Sequence, residues 1–185
     1  MKTLWLSCFA FGLLGLGGCG GLSVERYRAE QPVLDLARYF SGTIDGWGMF
    51  QDRSGAVIKR FHVVIDAHWE VRDGVDVGTL DENFSWSDGT TSRRVWTITR
   101  VDASRYVGRA DDVVGEARGE AAGNALRWRY VLALPIDGRV WHVDFDDWMF
   151  LIDDRVMLNR SEMKKFGLHL GQVTLSFTRR CRDEP

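Results

Sequence analysis

Between Gly42 and Thr178, apolar and polar side chains alternate with a period of two. A turn signal interrupts the alternation roughly every dozen residues. The interruptions are Asp52-Arg53-Ser54-Gly55, Asp73-Gly74, Asp88-Gly89, Asp102-Ala103-Ser104, Gly123-Asn124, Asp137-Gly138 and Asp153-Asp154. Asp or Asn beside Gly accepts the positive φ that tight hairpins require. The pattern predicts strands near 43–51, 56–67, 77–86, 91–101, 104–110, 114–122, 125–134, 139–151 and 155–159, with a last one at 172–178. Helical spacing is confined to Pro32–Phe40, where Leu36, Tyr39 and Phe40 share a face, and to Arg160–Phe166, which Gly167 ends. Eight to ten consecutive antiparallel strands with one short late helix predict an all-β, lipocalin-like (calycin-type) barrel, with a two-sheet sandwich as the alternative.

The second half of the chain fixes a register. A two-residue turn at Gly123-Asn124 sets Ala121, Gly119, Ala117 and Gly115 opposite Leu126, Trp128, Tyr130 and Leu132. One strand face is then all Gly and Ala, and its partner is all large and apolar, so that an aromatic ring covers each strand glycine. Outside, Glu120 meets Arg127. A turn at Asp137-Gly138 sets Leu134, Leu132, Tyr130 and Trp128 opposite Trp141, Val143, Phe145 and Asp147, with Arg129–Asp146 and Arg127–Trp148 outside. A two-residue turn at Asp153-Asp154 would bring Met149 to Leu158 and Asp147 to Arg160. Asp147 is the lone carboxylate on an apolar face, so this register predicts an Asp147–Arg160 ion pair.

The chain ahead of the barrel is of another kind. Met1-Lys2-Thr3 and the apolar run Leu4–Leu16 have the form of a signal peptide, too short to span a bilayer. Leu16-Gly17-Gly18-Cys19 reads as the cleavage and acylation site of a bacterial lipoprotein, with Cys19 as the lipidated residue. Gly20-Gly21 follows without an aspartate, the pattern of outer-membrane sorting. The expected organisation is a signal peptide over 1–18, a lipidated tether over 19–31, a barrel over 32–179 and a polar tail over 180–185. A flexible dozen-residue tether would hold the barrel within roughly 20 Å of the membrane.

Composition narrows the function. Of 24 basic residues only Lys2 leaves with residues 1–18, so 23 basic face 26 acidic side chains in the mature chain, which carries no electrostatic footprint for nucleic acid. Of the three cysteines, Cys8 leaves with the signal and Cys19 is acylated. Cys181 stays alone, so no internal disulfide forms.

No nucleophile constellation is present, and His62, His68, His142 and His169 lack metal-ligand spacing, so neither an enzyme nor a cofactor is expected. Asp144, Asp146, Asp147, Asp153 and Asp154 alternate along a strand and its turn, which suits ion pairing better than a calcium loop. Asp111-Asp112 and Asn159-Arg160 stand where a pocket mouth would be, though loop capping explains the two aspartates as well. Trp47, Trp69, Trp86, Trp96, Trp128, Trp141 and Trp148 fall in predicted strands, either filling the core or walling a cavity.

Five segments carry a resemblance. They are Trp47–Gly55, Ala110–Ala117, Gly123–Tyr130, Phe145–Met149, and Asn159-Arg160 with Lys164-Lys165-Phe166-Gly167. Together they resemble the proteobacterial lipoproteins of the domain of unknown function 3833 family, over almost the whole mature chain. The resemblance implies an envelope lipoprotein from a setting of fatty-acid-modifying enzymes and envelope stress, and so a lipid ligand. It brings no catalytic residues with it.

The expectation is therefore a periplasm-facing outer-membrane lipoprotein that binds a fatty-acyl or other apolar molecule. Trp128, Tyr130, Phe145, Asp147, Asn159 and Arg160 are its candidate binding residues. The alternative is a partner-binding envelope lipoprotein with a filled core and an apolar outer patch at Trp148, Phe150 and Ile152.

Overall fold

Ten antiparallel strands close into one barrel in a computed structural model that describes residues 21–136 and 138–180. They are β1 (Gly42–Asp52), β2 (Val57–Arg72), β3 (Val75–Trp86), β4 (Thr91–Arg100), β5 (Arg105–Arg109), β6 (Ala117–Ala122), β7 (Ala125–Ile136), β8 (Arg139–Leu151), β9 (Val156–Lys165) and β10 (Leu168–Arg179). Each pairs with its sequence neighbours, and β1 pairs with β10 to complete the ring. Closure leaves no free sheet edge. The architecture is the lipocalin-like barrel expected, and the sandwich alternative falls away. The lipidation motif with Cys19, and Cys181 in the tail, lie outside the described residues.

Most of the expected register is present. Gly119 faces Trp128, Ala121 faces Leu126, and Trp128, Tyr130, Leu132 and Leu134 face Asp147, Phe145, Val143 and Trp141. The regular β6–β7 ladder begins at Arg118↔Arg129, so Ala117 pairs with Gly108 of β5 instead of Tyr130, and Val113 takes the place expected for Gly115 opposite Leu132. Trp128 lies over two glycines: a Cβ at Gly119 would stand 2.3 Å from its ring, and one at Gly108 would stand 2.4 Å away. Any side chain at either position would displace the indole. Outside, the ion pairs are offset by one partner from the expected ones. Arg127 bonds Asp146 at 2.6 Å and stacks on Trp148, while Arg129 reaches Glu120 at 3.7 Å.

Two expectations are corrected. The late helix over Arg160–Phe166 does not form, because that segment is the second half of β9, paired on both edges. Phe166 and Gly167 both take positive φ (52° and 77°), making a tight hairpin turn that joins β9 to β10. Sheet pairing thus overrides a sequence with good helix propensity. The β8–β9 turn is also longer than expected. Ile152 N–H bonds Val156 O at 2.9 Å, and Asp153 Oδ1 accepts from Arg155 N and Val156 N. That three-residue loop shifts β9 by one position and reverses which of its side chains face inward. Asp147 consequently faces Ser161, and Arg160 faces Trp148 on the outside, so the Asp147–Arg160 ion pair is absent.

The two ends of the barrel differ. At one end the chain enters through a short helix, α1 (Leu36–Tyr39), capped by Asp35, whose side chain accepts from Arg38 N. Leu34, Leu36, Tyr39 and Phe40 are buried with Ile44, Ile65, Leu126, Met157 and Phe177, and this cluster seals the base. Two hydrogen bonds fasten it: Trp69 Nε1 donates to Phe40 O at 2.9 Å, and Tyr39 OH donates to Arg155 O at 3.0 Å. The opposite end carries the hairpin turns after β1, β3, β7 and β9 and the loop Ala110–Glu116, and among the described residues no helix covers it.

Residues expected to be a loose tether are docked on the barrel wall. Val24–Tyr27 forms a single 3-10 turn whose Val24 is buried against Ala122 and Ala125, and Tyr27 packs edge-on against Trp148 and Phe150. Gly123 (φ 54°) has no room for a side chain, since a Cβ there would meet Tyr27 O at 1.7 Å. Trp148 and Phe150 are therefore covered from within the chain. Of the expected outer patch only Ile152 is largely exposed.

Candidate functional site

Above the plug, the strands enclose a cavity of about 350 Å³. Its lower wall is aliphatic, with Leu80, Ile98, Leu126 and Leu132 among the lining residues, and Phe40 and Leu36 form the floor. Near the mouth, Phe61, Phe84 and Trp86 come together, with the Phe84 and Trp86 rings stacked 5.5 Å apart. Trp86 is tethered by its indole, which donates to Ser92 Oγ at 2.9 Å. Space of this size, walled by aromatic and aliphatic groups with a few polar side chains, is typical of small-molecule sites, which span roughly 300–1,000 Å³.

The structure brings five of the six predicted binding residues to this cavity: Trp128, Tyr130, Phe145, Asp147 and Asn159. Arg160 is the exception. It points outward into a shallow groove with Trp47, Met49, Arg60, Phe150 and Leu158, for the register reason given above. The tryptophans divide as well. Trp69, Trp86, Trp96 and Trp128 belong to the interior, Trp47 (53% exposed, stacked on His62) faces out, and Trp141 stands on the same strand face as Val143 and Phe145 but is exposed near the end of β8.

Glu82, Arg94 and Ser161 are polar wall residues not singled out from the sequence, and Asp112 joins them from the Asp111-Asp112 step expected at a pocket mouth. Leu80, Phe84 and Trp86 point inward, so the period of two places Glu82 inward, and Trp96 and Ile98 do the same for Arg94. That signal was available in the alternation. Asp112 is placed not by the alternation but by the Ala110–Glu116 loop, which runs beside β7 through Ala133 N→Asp112 O and Val114 N→Val131 O.

These residues form one connected group. Arg94 grips Asp112 with both Nε (2.9 Å) and Nη2 (2.7 Å), and its Nη1 lies 3.8 Å from Glu82 Oε2. Asp147, only 6% exposed, accepts from Tyr130 OH at 3.2 Å and from the Ser161 hydroxyl. Trp96 stands edge-on to Tyr130, whose ring stacks on Phe145 at 5.1 Å.

The model for the family described as "Protein of unknown function (DUF3833)" matches residues 13–179. The chain belongs to that family. No curated protein matches it by sequence. Among solved structures, an S-type phycobiliprotein lyase, CPES, from Guillardia theta superposes with a TM-score of 0.62 at 8% identity, covering 88% of this chain and 100% of that one. A protein of unknown function from the DUF3598 family of Nostoc punctiforme superposes at 0.53 and 13% identity, covering 82% of this chain and 51% of that one. At such identities the likeness is one of fold. It supports the lipocalin-like reading of the DUF3833 barrel and carries no residue roles.

The electrostatics of the DUF3833 cavity follow from burial. Desolvation raises the Glu82 carboxyl to about 7; Arg94 opposes the rise, and Asp112 and Asp147 add to it. Glu82 is only half-buried as a residue because its free surface looks into the cavity. Asp147 is raised by burial to about 6, against the pull of hydrogen bonds from Ser161, Tyr130 and Asn159 and of the Arg94 charge. Burial and the neighbouring Asp147 push the Tyr130 phenol well above its ordinary range, so it stays a neutral donor. The wall thus holds two carboxyls that exchange protons near neutrality, beside a guanidinium occupied by a third.

Proposed function

We propose that this protein binds one long-chain amphiphile or other apolar lipid inside the barrel, and acts by holding and transferring it rather than by chemistry on it. The cavity carries this reading: a mainly apolar space of about 350 Å³, closed at its base, with a cluster of polar side chains on its wall. A barrel that needed only stability would fill that space, because each unfilled methyl-sized gap costs on the order of 1 kcal/mol. The family's barrel also resembles in fold a protein named as a phycobiliprotein lyase, which is consistent with use of the interior.

The same reading places the protein at the outer membrane, facing the periplasm, held by acylated Cys19. Leu16-Gly17-Gly18-Cys19 supports it, and only four residues separate Cys19 from the docked Val24. A barrel on so short a leash exchanges its ligand with the membrane beside it.

Two experiments test this. Organic extraction of a Cys19→Ser variant purified from the envelope, followed by mass spectrometry, is expected to release one lipid species in near-stoichiometric amount. Repeated recovery of empty protein that also fails to take up added lipid would overturn the binding claim. For the anchor, the N-terminal peptide of the mature protein is expected to begin at a diacylglyceryl-modified Cys19. An unmodified N-terminus would remove the membrane from the account.

A further inference from the structure

We propose that the cavity selects an amphiphile with a cationic amine head, whose ammonium sits between Glu82 and Asp147 while the alkyl chain fills the apolar space below. The inference rests on the binding function proposed above and specifies the head group that function takes.

Charge balance on the wall is the first ground. Glu82 from β3, Asp112 from the β5–β6 loop and Asp147 from β8 face the interior with one guanidinium, Arg94 from β4. The neutral groups Tyr130 from β7 and Asn159 and Ser161 from β9 complete the ring. Among the described residues the only other charged lining residue is Arg93, which is committed to Asp81 by two bonds of 2.7 and 2.6 Å. A ligand carboxylate would need a free guanidinium, and Arg94 is not free, because its fork is closed on Asp112. A carboxylate head would instead meet Glu82 and Asp147 directly.

The unfilled acceptors are the second ground. A carboxylate offers about four lone-pair sites. Glu82 has its closest guanidinium nitrogen 3.8 Å away and a weak contact with the Trp96 indole. Asp147 accepts from Tyr130 at Oδ2 and from Ser161 at Oδ1, with Asn159 as a third donor, so its partners are all neutral and one of about four lone-pair sites is left. An ammonium brings three donors and a positive charge to this deficit. The rings of Trp96, Tyr130 and Phe145 stand beside it and add faces that attract a cation.

Protonation supports the same assignment. Burial raises Glu82 to about 7 and Asp147 to about 6 against the pull of the Arg94 charge, and a bound ammonium would draw both down and release protons. Amine binding should therefore weaken as pH falls through this range, while carboxylate binding should strengthen.

The test uses the full-length Cys19→Ser protein and three probes with one chain length: dodecylamine, dodecanol and dodecanoate, followed by the fluorescence of the cavity tryptophans. At pH 7.5 dodecylamine is expected to bind about tenfold tighter than dodecanoate, with dodecanol between them. The advantage should shrink at pH 5.5. Glu82→Gln should weaken the amine about fivefold and leave dodecanol unchanged, and Asp147→Asn, which keeps the shape, should do the same. Dodecanoate binding as tightly as the amine, or amine binding indifferent to both variants, would overturn the head-group assignment while leaving the cavity's role intact. If none of the three binds, the binding function itself fails and the assignment fails with it.

Discussion

The two ends of the barrel are built from the same alternating strands and serve opposite purposes. At the sealed end, Leu36, Ile44, Ile65, Leu126 and Met157 are almost completely buried, and α1 is hydrogen-bonded into place. At the open end, Phe84, Trp86, Glu82 and Arg94 are only half-buried and surround empty space. Stability is concentrated where the interior is filled. Ligand capacity lies where it is not, and carboxyls left near neutrality are tolerated there because the filled half supports the fold.

The largest effect should come from breaking the sealed end. Ile44→Ala removes a side chain that is fully buried in the base and does not line the cavity, and should cost about 2–5 kcal/mol in denaturant unfolding. Affinity for an apolar probe, measured on the fraction still folded, should change little. A comparable loss of affinity would mean the plug and the cavity are not separate parts.

Next comes the polar wall. The Glu82 carboxyl rises from 4.5 to about 7 on folding, and Asp147 from 3.8 to about 6. A folded state that binds protons more tightly than the unfolded one loses stability as pH rises between those values, and stays level above the folded ones. Unfolding midpoints should therefore fall between about pH 4.5 and 7. Glu82→Gln should flatten that fall and raise stability at pH 8, by on the order of 2 kcal/mol at most. Carboxylates with lowered values, such as Asp45 at about 2, act below this window and do not mask it. A midpoint that climbs with pH across the window would contradict the buried-carboxyl account.

A smaller structural effect is expected at the mouth. Trp86→Ala takes away a half-buried ring and its bond to Ser92, for about 1–2 kcal/mol, yet should weaken an apolar ligand about tenfold. Smallest of all, Asp81→Ala breaks the exposed bidentate pair with Arg93 and should change stability by less than about 1 kcal/mol.

How much of this was legible before the structure depends on the kind of statement. Strand positions and barrel class follow from a period-two pattern broken by Asp-Gly and Gly-Asn turns, and the β6–β8 register follows from two-residue turns whose geometry is tightly fixed. At Asp153-Asp154 the loop takes in Arg155 as well, and a one-residue difference moved Arg160 outside and Asn159 and Ser161 inside. Arg160–Phe166 looks helical locally and becomes strand because β8 and β10 offer it partners on both edges. Glu82 and Arg94 were written in the alternation, but their partnership joins β3, β4 and a loop, and no local pattern records it. Whether the interior is filled or empty is a sum over all ten strands, and so was invisible to any single one.

The most direct test is native mass spectrometry of the full-length Cys19→Ser protein titrated with a dodecyl amphiphile, which counts occupants of the interior. One molecule per barrel is expected, with occupancy reduced by Trp86→Ala and retained in Ile44→Ala, whose side chain lies outside the cavity lining. No bound molecule at any concentration below micelle formation, or several bound without saturation, would show that the open half is not a ligand site.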